Sequence, residues 1–228
     1  ANDGLSPATA WRTTKRVGLN PVLIGTNSTV LFERGGVYRG AMSLRDGMIV
    51  GAYGSGPKPQ LYGSLQNYAD ESLWNQTSTA NVWRLKVEGL KDIGNIIFDY
   101  GKECASEGKR LSMKNVNVER AFYHDVNKGY LYLYTTKGNP GKTYQSIEIA
   151  SKTHVLGAYA PDATLENITI ENLCIKYTGA HGISFGSVKN VKITGCEIGY
   201  IGGSMQNSSV RYGNGIEFYG NVEGALVE

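Results

Sequence analysis

The segment HGISF, starting at His181, returns 33 residues later as NGIEF, starting at Asn214, and the second copy carries Glu217 where the first carries Ser184. Glu217 takes an outward position on an alternating strand, so its carboxyl group is placed to give or take a proton at a surface. The inserted stretch SMQNSSVRYG (204–213) comes directly before it. Within that stretch Arg211 and Tyr212 are suited to clamping an anionic group or stacking on a flat ring, with Asn214 beside them; they serve equally to anchor their own loop. His181 is a second proton-transfer group, or, as readily, a corner side chain bonded to backbone and stacked on Asn214. A further carboxyl, Glu148 in SIEIA, falls in the same column two strands below Glu217 if the register holds. Strands stack about 4.8 Å apart, so the two carboxyls would be about 9.6 Å apart, near the roughly 6.5–9.5 Å that an inverting glycoside-cleaving pair requires. For both glutamates the plain alternative is a solvated strand side chain, and for Glu148 that alternative is the stronger.

Tyr130, Tyr132 and Tyr134 in YLYLY alternate with leucines and form an outward strip, with Tyr132 at its centre. Such a strip suits sugar stacking, or packs beneath the irregular 101–129 segment. Elimination next to a uronate carboxylate would need a base and a positive group, for which Lys176, Lys189 or Arg211 could serve. No acidic cluster reads as a calcium site, and Asn2, Asp3 and Gly4 are better read as a flexible terminus than as a calcium-binding turn. No metal or cofactor is therefore expected, calcium entering only with elimination chemistry.

The strands that would position these residues come from a repeat. NITIENLCI (167–175) lies over NVKITGCEI (190–198) at an offset of 190 minus 167, or 23 residues, pairing Ile168 with Val191 and Ile170 with Ile193. A third copy places Val222 on Val188, Ala225 on Val191 and Val227 on Ile193. Each copy alternates apolar and polar residues with period 2, and each resets at Asn172 or Gly195, residue types that tolerate left-handed dihedrals. Units that cannot bury their own face must stack on neighbours. The expected fold is all-β: a single-stranded parallel β-helix, a solenoid, over 1–228. Its expected parts are an N-terminal cap with a short helix over residues 1–20, an irregular excursion over 101–129, regular coils over 145–228, and an incomplete last coil. The 204–213 insertion at one corner marks a binding face.

Composition narrows the partners. The charge of +3 comes from scattered basic residues with no stripe, which argues against nucleic acid, and no apolar run approaches the roughly 20 residues of a membrane span. Thirty glycines and fifteen tyrosines favour a turn-rich β protein with flat contact surfaces. Three cysteines without a CxxC pair indicate neither a disulfide scaffold nor a zinc knuckle; Cys196 reads as core and Cys174 as outward.

The run NDGLSPATAW, VLFERGGVYRG, GAYGSGPKP, NITIENL and HGISF resembles the right-handed parallel β-helix proteins of the pectate-lyase-like superfamily. More narrowly, it is similar to the secreted glycoside hydrolases and polysaccharide lyases of carbohydrate-degrading bacteria. The resemblance implies right-handed coils, a poly- or oligosaccharide partner and a secreted, periplasmic or cell-surface location. It implies a glycoside hydrolase first; on the reading of the residues above, Glu217, His181 and Glu148 are then catalytic and Arg211, Tyr212, Asn214 and Tyr132 hold substrate. A uronate lyase and a non-catalytic adhesin or tailspike-like module are the alternatives. Members of this superfamily usually continue through further coils, so the chain is expected to be a C-terminally truncated fragment whose uncapped last coil self-associates.

Overall fold

The computed structural model describes residues 2–19, 24–158, 164–205, 207 and 210–228. Ala1 and Asn20, at the two ends of the expected cap, and residues 206, 208 and 209 of the corner insertion lie outside the described residues. The chain is mostly β, with short helical pieces.

Among the described residues, three of the five sheets are parallel. The first runs Thr29–Glu33, Ile49–Tyr53, Thr164–Glu171, Ser187–Thr194 and Val222–Val227. In it Ile168 pairs with Val191 and Val191 with Ala225, while Ile170 pairs with Ile193 and Ile193 with Val227, as the 23-residue offset requires. The second contains Met42–Ser43, Leu156–Ala158, His181–Phe185 and Asn214–Phe218; the third contains Val37–Arg39, Gln60–Tyr62, Cys174–Lys176 and Glu197–Gly199. Their inward residues form one core that includes Val50, Leu61, Ile168, Ile170, Ile175, Ile183 and Phe185. Burial of each such aliphatic side chain is worth about 1.5–3 kcal/mol. Phe185 and Phe218 continue the stack as nearly parallel rings 5.4 Å apart.

Bends within the strands fall on residues that accept positive φ. Asn167 and Asn190 occupy equivalent positions at φ 59° and 55°, and the Asn190 amide donates to Asn167 Oδ1 at 3.1 Å. Asn172 and Gly195, the expected corner residues, sit at φ 58° and 60°.

A single solenoid over 1–228 is overturned by the other two sheets, which are antiparallel. One runs Phe122–Asp125, Tyr130–Tyr134, Val82–Lys86 and Trp74–Gln76; the other runs Ile147–Ile149, Ile96–Phe98 and Glu103–Cys104. They bury a core of their own, which includes Leu85, Ile96, Phe98, Phe122, Leu131, Leu133 and Ile147. Strand Ile49–Tyr53 pairs directly with Thr164–Glu171, so the residues between enter as an elaboration with parallel and antiparallel pairing mixed. The expectation fails because period-2 alternation specifies a half-buried strand and leaves the direction of its partner open.

Near the N-terminus the expected helix is two short pieces, a 3-10 turn at Pro7–Thr9 and an α-helix at Lys15–Leu19, with Val17 against the first core. The 101–129 segment contains a 3-10 turn at Met113–Asn115 and leads into a hairpin in which Asp125 faces Tyr130. All three cysteines are free; Cys174 is buried rather than outward, though it pairs with Glu197 as aligned.

Candidate functional site

Parallel pairing puts Glu217 on Ser184, Ser184 on Gly157 and Gly157 on Ser43, so one column carries a carboxylate above small residues. His181 pairs with Asn214 in the neighbouring column. Counting the same register back from Leu156 and Ile183 sets His154 beneath His181. Gly157 makes room for that second imidazole: a Cβ there would stand 2.7 Å from His154 Cδ2 and 2.8 Å from the Ser184 carbonyl.

Two groups converge on one oxygen. His181 Nε2 lies 3.1 Å from Glu217 Oε2, and the Ser184 hydroxyl donates to the same oxygen at 3.0 Å. The His181 side chain is 6% exposed and that of Glu217 18%, so the carboxylate reaches solvent above an imidazole that does not. Burial pushes the His181 pKa down and the Glu217 charge pulls it up, with burial prevailing. The imidazole is thus neutral at pH 7, and its position opposite Oε2 places the single proton on Nε2. Nδ1 is left as a buried acceptor without a hydrogen-bond partner among the described residues. Burial also lowers the pKa of His154, reinforced by His181 and opposed by Glu217. Oε1 makes no hydrogen bond to a described residue, so the acid–base capacity of the group faces outward.

Described residues of the 204–213 stretch close one side. The Tyr212 and His181 rings meet perpendicular to each other, centroids 5.8 Å apart at 87°, and the Tyr212 hydroxyl accepts a hydrogen bond of 2.7 Å from Asn207. Tyr212 N–H donates to the Ser204 carbonyl at 3.0 Å, and Gly203 N–H donates to the Tyr212 carbonyl at 2.7 Å. The loop is moored from below, since Met205 N–H donates to Asp92 Oδ2 at 2.6 Å and the Lys109 ammonium donates to the same oxygen. Lys109 also donates to the Ile93 carbonyl, and Ile93 N–H donates to His124 Nδ1 at 3.2 Å. Burial raises the Asp92 pKa, but the neighbouring His124 imidazole and the Lys109 ammonium outweigh it and leave it below the usual carboxylate value. Arg211 points to this mooring, donating to the Lys109 carbonyl at 3.4 Å.

No protein-family model and no curated protein matches the chain. Two solved structures are similar. One, described as a glycoside hydrolase, has TM-score 0.47 and 9% identity over 75% of this chain. The other, a complex of XylC with xylose, has TM-score 0.47 and 10% identity over 75% of this chain. The chain spans 54% of the first and 36% of the second. At these values the likeness carries no argument about function.

Of the residues selected from sequence, Glu217, His181 and Tyr212 come together, with Asn214 paired to His181. Arg211 is turned toward the Lys109 carbonyl. Glu148 lies elsewhere: its strand pairs antiparallel with Ile96–Phe98, and its carboxylate takes a two-pronged bond from Arg39, both contacts 2.7 Å. Tyr132 stands on the other antiparallel sheet. Sequence reading missed His154, whose signal is the repetition of HVLGA (154–158) in HGISF 27 residues on. It also missed Asp92, Lys109 and His124, which no spacing links because they sit on separate elements. Among the described residues no group of three or more His, Cys, Asp or Glu could hold a metal ion, and no helix is long and apolar enough to cross a membrane.

Proposed function

We propose that the chain processes a carbohydrate by acid–base chemistry at Glu217, with cleavage of a glycosidic bond by water as the reaction. The observation that carries this reading is the convergence of His181 Nε2 and Ser184 Oγ on one oxygen of Glu217, with the Tyr212 ring against His181. The Ser184 hydrogen bond and the His181 contact at 3.1 Å hold the carboxylate, and its other oxygen, which bonds to no described residue, is the one that draws a proton from a water attacking the anomeric carbon. As the carbon–oxygen bond breaks, the leaving oxygen takes a proton from solvent water, and Glu217 afterwards returns to solvent the proton it drew from the attacking water. Asn214, exposed at the rim, suits hydrogen bonding to sugar hydroxyls. A polysaccharide substrate goes with a secreted, periplasmic or cell-surface location.

A second reading, elimination on a uronate, is favoured by one observation. Among the described residues no second carboxylate bonds into the Glu217 group, whereas hydrolysis ordinarily uses two. The experiment that separates them is incubation with neutral and uronate polysaccharides, following both reducing ends and the absorbance of unsaturated products. Reducing ends without unsaturation support hydrolysis, and unsaturated ends support elimination. Binding without cleavage of any member of the panel overturns both in favour of a recognition module.

A further inference from the structure

The outer face of the larger antiparallel sheet is laid out in rungs. In one, Tyr123 faces Tyr132 and Tyr132 faces Arg84; in the next, Asp125 faces Tyr130 and Tyr130 faces Lys86. Alternation along Tyr130–Tyr134 sends Leu131 and Leu133 into the core and leaves the tyrosines half-buried on the other side. Tyr123 and Tyr132 are nearly parallel, 15° between planes with centroids 6.3 Å apart, and Tyr130 lies 6.3 Å from Tyr132. The excursion packs on this face at Val116 and Ala121, which form a cluster with Val82; Met113, Tyr123, Tyr132 and Tyr134 pack against that cluster, while Tyr130 and Arg84 lie outside it.

Charge on the face is unevenly matched. Lys128 lies 3.6 Å from Asp125, and Lys86 lies 2.9 Å from Glu88. Arg84 is exposed and stacks over Tyr130 at 5.2 Å, with no acidic partner among the described residues. A guanidinium held against a ring keeps its donor edge free for a two-pronged bond to a carboxylate. Flat aromatic surface beside that donor matches a ligand with apolar sugar faces and a carboxylate.

We infer that this tyrosine and Arg84 face is a second ligand site, for an acidic, uronate-containing oligosaccharide. It lies on the opposite side of the sheet from His124, whose imidazole belongs to the mooring of the 204–213 loop, so it is separate from the Glu217 group. The inference stands whether or not Glu217 turns over a glycan.

Titration calorimetry of the whole chain with a short oligogalacturonate, and with a xylo-oligosaccharide of equal length, tests it. Wild-type protein and Glu217→Gln are expected to bind the acidic oligomer equally. Arg84→Gln should weaken that binding about tenfold, the effect of losing one charge-assisted contact. Tyr123→Ala should weaken it by a similar factor, with melting curves confirming that both variants fold. The inference is overturned if the acidic oligomer does not bind, or if Arg84→Gln binds as wild type does. It is equally overturned if Glu217→Gln alone abolishes binding, or if the neutral oligomer binds as tightly and without dependence on Arg84.

Discussion

Replacing Asp92 by asparagine removes the counter-charge of an ammonium that has little other support. The Lys109 side chain is 3% exposed, and its remaining acceptor is the Ile93 carbonyl. Removing one member of a buried pair costs about 3–5 kcal/mol, because the other charge is left desolvated and unpaired. In a chain of this size that lowers Tm by roughly 6–20 °C. Lys109→Met should cost less, since the Asp92 side chain is 15% exposed and keeps the bond from Met205 N–H. In the double variant Asp92→Leu with Lys109→Met no charge is stranded, so its cost should fall well below the sum of the two single substitutions at these sites. Urea unfolding of Asp92→Asn, Asp92→Leu, Lys109→Met and the double variant measures these differences. A second readout is proteolysis in the 204–213 loop, which should quicken in the Asp92 variants as the Met205 mooring weakens. A cost below about 1 kcal/mol for Asp92→Asn, or strict additivity in the double variant, would refute the picture of a buried, mutually dependent pair.

Stability should fall as pH drops below the ordinary histidine value of 6.5, because His154 and His181 are held neutral in the fold and take up protons more readily when unfolded. Unfolding free energies measured from pH 8 to pH 5 should show this decline, and His154→Asn should flatten it; an unchanged slope counts against the assignment. Arg39→Met strands Glu148, whose side chain is 6% exposed, and should cost about 3–5 kcal/mol in denaturant unfolding, whereas a neutral result would mean that the pair is solvated. Gly157→Ala forces a Cβ against His154 and the Ser184 carbonyl and should cost about 1–3 kcal/mol. An equally stable variant would show that this column has slack.

The parallel pairings were legible because two signals agreed. Apolar alternation recurred at fixed offsets, and the interruptions fell on Asn167, Asn190, Asn172 and Gly195, all at positive φ in the structure. That agreement brought Glu217, Ser184 and His181 together from sequence. Pairing direction in the middle of the chain was not legible. SIEIA and YLYLY alternate as parallel strands do, yet their partners, Ile96–Phe98 and Val82–Lys86, lie far away in sequence and run the other way. Glu148 was therefore assigned to the wrong column, and its real partner, Arg39, is 109 residues distant. The Asp92, Lys109 and His124 group was hidden for the same reason: a buried charge cluster assembled from separate elements leaves no local periodicity.

The central claim is that Glu217 transfers the proton in carbohydrate cleavage, and turnover by Glu217→Gln on whichever glycan the wild-type chain cleaves tests it most directly. The amide keeps the shape of the side chain, and its oxygen can still accept from Ser184 and sit opposite His181, so the fold should be unchanged. Loss of a positioned acid–base group should lower kcat by about 10²–10⁴. Wild-type turnover in a folded Glu217→Gln protein would contradict the account.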